Sequence, residues 1–208
     1  RADSPALTDA MRMTNGIRAP ATLSDCVVND VLLVESDMTV TNLRIETGGL
    51  VLNHTNMHDK LTGNSTTPLV PTITVNGTFT MEGTETAVGH VLGVNIVCNG
   101  AYSINRAIFE RGAHAPAKCD QSILTLTTPG SISNVDILGQ ANVDPGLSLT
   151  ANVVASNLSM LRCGIDVDSA GCIINYVDFV GDNAEFGGAE CLRMRQYGSI
   201  ARNVRANA

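Results

Sequence analysis

The sequence predicts an all-β chain wound as a solenoid of stacked parallel strands. Two observations carry that prediction. The first is compositional: there is no Trp, only three Tyr and four Phe, so Val, Ile, Leu, Ala and Met must fill the core of a chain that is 44% hydrophobic over 208 residues. Together with 20 Thr, 19 Gly and 18 Asn, this favours many short strands joined by turns over helices. The second is a repeat in two registers. GSISNVDIL (130–138), VVASNLSML (153–161), GCIINYVDF (171–179) and GSIARNVRA (198–206) share an Asn followed by apolar alternation, anchored at Asn134, Asn157, Asn175 and Asn203. A second alternating segment precedes each one, at Leu124/Leu126, Leu147/Leu149, Ile165/Val167 and Leu192/Met194. The two tracks lengthen and shorten together. Each repeat is therefore one unit whose loops vary while its strands lie on those of the next, about 4.8 Å apart, with alternate side chains facing in and out.

Taken in chain order, residues 1–37 read as an N-terminal cap or irregular segment. Within it, residues 4–15 suit a short helix, with Ser4 as N-cap, Pro5 in the first turn and Gly16 after its end. Residues 38–208 read as the solenoid. TVTNLRIE (39–46) and TITVNGTFTM (72–81) fit early repeats, separated by a loop expected over residues 47–70. VNIVCNG (94–100) with INRAIFE (104–110) fits the next, placing Ile96 and Cys98 in register with Leu124 and Leu126. The recurring Asn is expected at a bend between two strands, where a residue must tolerate the left-handed conformation and bond locally. NVRANA directly follows the last strand. The last repeat is thus expected to leave an open strand edge, covered by further chain or by a partner.

GIDVDSAGCIINYVDFVGD (164–182) carries the family resemblance. Gly164, Ile165 and Val167 match a strand-opening G-I-x-V pattern, and Asn175 a bend Asn. On these residues the region 91–207 resembles the right-handed parallel β-helix of the pectin-lyase-like superfamily. That resemblance implies a single-stranded right-handed parallel β-helix with a short cap. It is close to silent on activity, because polysaccharide lyases and hydrolases, phage and virus tailspikes, epimerases and adhesins share the fold.

Candidate chemistry is expected on the outward columns. Thr125, Ser148, Asp166 and Arg193 should form one, Thr127, Thr150, Asp168 and Arg195 the next, and Asp136, Ser159, Asp178 and Arg205 a third. Asp166 is expected beside Arg193, and Asp168 beside Arg195. On one reading these are cross-strand ion pairs on a solvated sheet, each worth about 0–1 kcal/mol. On the other, which the resemblance implies, the first-strand sheet carries a polysaccharide site. Asp166, Asp168, Arg193 and Arg195 would then be its catalytic candidates, with carboxylates as acid/base groups or calcium ligands. The first reading is preferred, since a carboxylate paired with its own Arg stays ionised whereas a general acid needs a raised pKa. No other cofactor or metal is called for. His54 and His58 at i, i+4 ligate metal only on a helix, and HTNMH reads as a loop. Asp182, Glu185 and Glu190 read as a solvated Gly-rich turn. Cys163, Cys172 and Cys191 fall near stacked positions and read as small buried thiols. His90 and His114 have no Ser or Cys partner visible in sequence.

A net charge of −7 with basic residues thinly spread apart from Arg193 to Arg205 does not indicate a phosphate-binding surface, and no apolar stretch approaches the length of a membrane helix. Neither nucleic acid nor membrane insertion is expected. The favoured function is a structural, receptor-facing module of an extracellular or virion assembly, tailspike- or appendage-like. The resemblance implies a homotrimer and a cell-surface polysaccharide as partner. A β-helical polysaccharide lyase or glycoside hydrolase is the alternative, and a bacterial surface adhesin a second one.

Overall fold

The computed structural model describes residues 21–28, 31–34, 36–46, 49–52, 70–111, 121–139, 144–181 and 191–207. Among them every regular element is a strand, and every strand pairing is parallel. One sheet has eight strands in the order β1 (Ala21–Leu23), β4 (Met38–Val40), β7 (Thr72–Val75), β10 (Asn95–Cys98), β12 (Leu124–Leu126), β14 (Asp144–Leu149), β16 (Cys163–Val167) and β18 (Leu192–Met194). The other has eleven. Its main path runs through β2 (Cys26–Val28), β5 (Leu43–Ile45), β8 (Phe79–Glu82), β11 (Tyr102–Glu110), β13 (Gly130–Leu138), β15 (Val153–Leu161), β17 (Ile173–Val180) and β19 (Ile200–Asn207). A side path joins β3 (Leu32–Val34), β6 (Gly49–Leu52) and β9 (Gly89–Leu92), and β9 then pairs with β11. The chain alternates between the sheets and returns each time beside its previous pass, a topology compatible with a parallel β-helix.

The core follows from the alternation. Met38, Ile73, Ile96, Leu124, Leu147 and Ile165 form one buried inward column, and Val40, Val75, Cys98, Leu126, Leu149 and Val167 a second. Leu147 lies in register between Leu124 and Ile165, as the two-track repeat requires. In the other sheet Phe109, Ile137, Met160 and Phe179 stack behind them. Parallel pairing carries the register from strand to strand, so these buried columns are continuous. Cys26, Cys98, Cys163 and Cys172 are buried free thiols, and burial pushes Cys98 up to about 12. That suits small apolar fillers rather than nucleophiles.

The structure differs from three sequence expectations. Stacked strands begin at Ala21, inside the segment assigned to the cap: β1 to β3 are three residues each, too short for alternation to register in sequence. Gly49–Leu52, within the expected loop, is a strand between β3 and β9. The left-handed residue in the fourth bend is Tyr176 (φ 56), not Asn175. The expected helix over 4–15, the loop residues 53–69 with His54 and His58, and His114, Cys119, Asp182, Glu185 and Glu190 lie outside the described residues.

From β11 onward a single left-handed residue bends each long strand in place of a loop: Arg106, Asn134, Asn157, Tyr176 and Asn203, all at φ between 52 and 56. Register places them in one column. A ladder of amides runs along it in two stretches, Asn105 to Asn157 and Asn175 to Asn203. Asn134 Nδ2 donates to Asn105 Oδ1 (2.8 Å), Asn157 Nδ2 to Asn134 Oδ1 (3.2 Å), and Asn203 Nδ2 to Asn175 Oδ1 (2.8 Å). Where the bend residue is Arg106 or Tyr176, the residue before it is Asn and supplies the missing acceptor. At the opposite corner Asn99 Nδ2 donates to Asn76 Oδ1 (3.1 Å) and Thr127 Oγ1 to Asn99 Oδ1 (3.1 Å). Here Gly100 is required, because a Cβ would collide with the Gly77 carbonyl.

One buried cation was not legible in the sequence. Arg111, just after β11, is 1% exposed and donates to Asn95 Oδ1 and to the Gln121 carbonyl (2.5 Å). Gln121 Oε1 in turn accepts from Asn95 Nδ2 and Thr72 Oγ1, both at 3.0 Å. The network stitches β7, β10 and the approach to β12 together.

Candidate functional site

The sequence candidates sit on the outward face of the eight-stranded sheet, where β16 meets β18. Alternation dictates this: Ile165 and Val167 point inward, so Asp166 between them points out, and in β18 Arg193 does the same between Leu192 and Met194. Parallel pairing puts Asp166 directly beside Arg193. Asp168 and Arg195 follow one step along, with Arg195 N–H bonded to the Val167 carbonyl and Asp168 N–H to that of Leu149.

The side chains do not follow the columns. Arg193 Nη2 donates to Asp166 Oδ2 at 3.1 Å, as expected. Arg195 reaches diagonally to the same carboxylate, Nε to Oδ1 and Nη2 to Oδ2, both at 2.9 Å, in the fork that guanidinium and carboxylate geometry favours. Asp168 Oδ1 instead accepts from Gln196 Nε2 at 3.2 Å. The structure thus gathers Asp166, Arg193 and Arg195 into a cluster around one carboxylate and turns Asp168 toward a neutral amide. Gln196 went unnoticed in the sequence because it lies one residue past the alternating run.

The electrostatics follow. The Arg195 hydrogen bonds, aided by the Arg193 and Arg195 charges against a smaller desolvation effect, hold the Asp166 carboxyl below the usual carboxylate range. Its side chain is 21% exposed, while Arg193 and Arg195 remain 48% and 46% exposed. In this arrangement Asp166 is ionised and accepts three hydrogen bonds from guanidinium groups, so it has no proton to give. What the cluster offers is two half-open guanidinium groups. Asp136, in the third outward column, moves the other way, its carboxyl raised by burial. His90 Nε2 lies 3.1 Å from Glu110 Oε2 across the β9–β11 pair. Among the described residues no three His, Cys, Asp or Glu side chains gather closely enough to hold a metal ion.

No family model matches the chain, and no curated protein or solved structure matches it significantly. The resemblance to the pectin-lyase-like superfamily therefore rests on the residues and the parallel two-sheet topology alone.

Proposed function

We propose that the chain is a right-handed parallel β-helix that serves as a structural, receptor-facing module of an extracellular or virion assembly, working as a homotrimer. The observation that carries the reading is an outward aliphatic stripe on the eleven-stranded sheet. Val154, Ile173 and Ile200 are successive register partners on β15, β17 and β19, and they are 43%, 41% and 41% exposed. Outward positions of a solvated sheet ordinarily alternate to polar, and Ser131 does so one strand earlier on β13. Three aliphatic side chains aligned along the stacking direction make a straight seam, which an identical seam on a parallel copy can cover. The Asp166 cluster supports the same reading, because it occupies the charged groups an acid/base pair would need.

Mass determination in solution tests the reading. The expected result is a particle of three chains of 21.8 kDa each, converted to monomer by Val154→Glu with Ile173→Glu while the β-rich circular dichroism persists. A wild-type monomer at micromolar concentration would overturn it. One observation favours a second reading: the half-open Arg193 and Arg195 could hold a uronate on the sheet where the resemblance places polysaccharide. Release of reducing ends or unsaturated uronate from acidic polysaccharides, lost in Asp166→Asn and Arg193→Ala, would put the lyase or hydrolase first.

A further inference from the structure

We propose a saccharide-binding groove on the bend of the eleven-stranded sheet, centred on Tyr176 and distinct from the Asp166 face. A cleft of about 560 Å³ opens there across β15, β17 and β19, and Tyr176, Asp178, Ser159, Asn157, Asn203 and Arg205 are among its lining residues. It needs only the stacking of these three strands and does not depend on the assembly proposed above. The aliphatic stripe lies before the bend, and the groove lies at and beyond it.

Tyr176, the one aromatic among the five bend residues, points to a ligand. Its neighbours in the column, Asn157 and Asn203, are the residue type that occupies a left-handed bend at least cost, whereas a bulky aromatic at φ 56 is disfavoured there. The preceding Asn175 still serves the amide ladder, accepting from Asn203. The ring adds nothing to the core, being 56% exposed. A residue that is conformationally costly, unnecessary to the ladder and open to solvent is accounted for by what its flat apolar face can contact.

The surroundings define that contact. Asp178 and Arg205 are register partners two residues beyond the bend, with Ser159 on the other side of Asp178. No ion pair joins Asp178 to Arg205 or to any other described residue, although opposite charges sit on adjacent strands. An acceptor and a forked donor, both unengaged and set beside an aromatic face, match a pyranose. Its axial C–H face stacks on the ring while vicinal hydroxyls bridge carboxylate and guanidinium. The charges cancel, which selects a neutral hexose over a polyanion, and repeats spaced by about 4.8 Å suit successive units of a chain-like glycan.

Because the protein has no Trp, Tyr176 is one of only three emitting side chains, and the part of the emission change lost in Tyr176→Phe reports on this site. The full chain is titrated with neutral and acidic oligosaccharides displayed on an array, with tyrosine emission and saturation-transfer NMR followed for those retained. The expected result is retention of a neutral hexose oligosaccharide with a change in tyrosine emission. Tyr176→Asn should weaken binding at least about tenfold with a Tm equal to or above that of wild type, since it restores the favoured bend residue. Tyr176→Phe should bind within about threefold of wild type. Asp178→Asn and Arg205→Ala should each weaken binding several-fold, and Asp166→Asn should not change it. Failure of the wild type to retain any oligosaccharide, or binding that survives Tyr176→Asn, would overturn the proposal. Either outcome is independent of the oligomeric mass that tests the assembly.

Discussion

The first repeats and the later ones solve the same turn differently. Between β8 and β9 the chain spends residues 83–88, with a local turn in which Thr84 N–H donates to the Ala87 carbonyl (2.7 Å) and Ala87 N–H to Thr84 Oγ1 (3.0 Å). From β11 onward one left-handed residue does the work, and the second and third strands merge into one strand of eight or nine residues. A loop decouples the register on its two sides. A single bend residue transmits it, and so only the later repeats sustain an amide ladder across the bend. Stability should therefore be local and replaceable in the loops, but collective at the bends.

The joint between the two regions is the place to break that contrast most severely. Arg111 closes the first merged strand and bonds both to Asn95 of β10 and to Gln121 ahead of β12. Arg111→Met should cost about 2–4 kcal/mol in denaturant unfolding, because it leaves a buried amide oxygen and a carbonyl short of a donor. A loss under about 1 kcal/mol would mean that the network does not hold the halves together. A matched pair of smaller changes sharpens the comparison. Asn157→Ala removes a ladder rung and leaves in the left-handed region a residue without the polar side chain that makes Asn tolerate it, at an expected cost of about 1–2 kcal/mol. Thr84→Ala, which deletes the corresponding side-chain bond of the loop, should stay within about 0.5 kcal/mol. Equal costs would erase the distinction.

The smallest effect is in the acid limb of stability. Asp166 has a folded pKa below its unfolded value of about 3.9, so its contribution is present above that value and is lost as the pH falls through the folded pKa. Asp166→Asn should remove that part of the acid sensitivity and leave stability at pH 7 lower by less than about 1 kcal/mol. A variant whose acid midpoint is unchanged would show that the Arg195 fork contributes nothing in solution.

This division also explains what could be read in advance. Leu124 to Leu192 and the outward columns were legible although β12 and β18 are three residues each, because each short segment precedes a long merged strand whose repeated pattern aligns it. β1 to β3 were not, since three residues show only two inward positions, as in Cys26 and Val28, and no long merged strand follows to align them. The bend at Tyr176 was misplaced by one residue because the Asn-Tyr pair divides two jobs that Asn157 does alone: one residue bends the chain and the other holds the ladder. Columns fix which Cα atoms are neighbours but not which rotamer crosses between them, so the diagonal from Arg195 to Asp166 was beyond sequence reasoning. Arg111 looked like any polar loop residue. Its burial depends on Asn95 and Gln121 arriving from other repeats.

In each resolved rung of the amide ladder the nitrogen belongs to the later repeat and the oxygen to the earlier one. The zipper therefore has a direction. Each repeat presents acceptors to the repeat that follows it and donors to the one before.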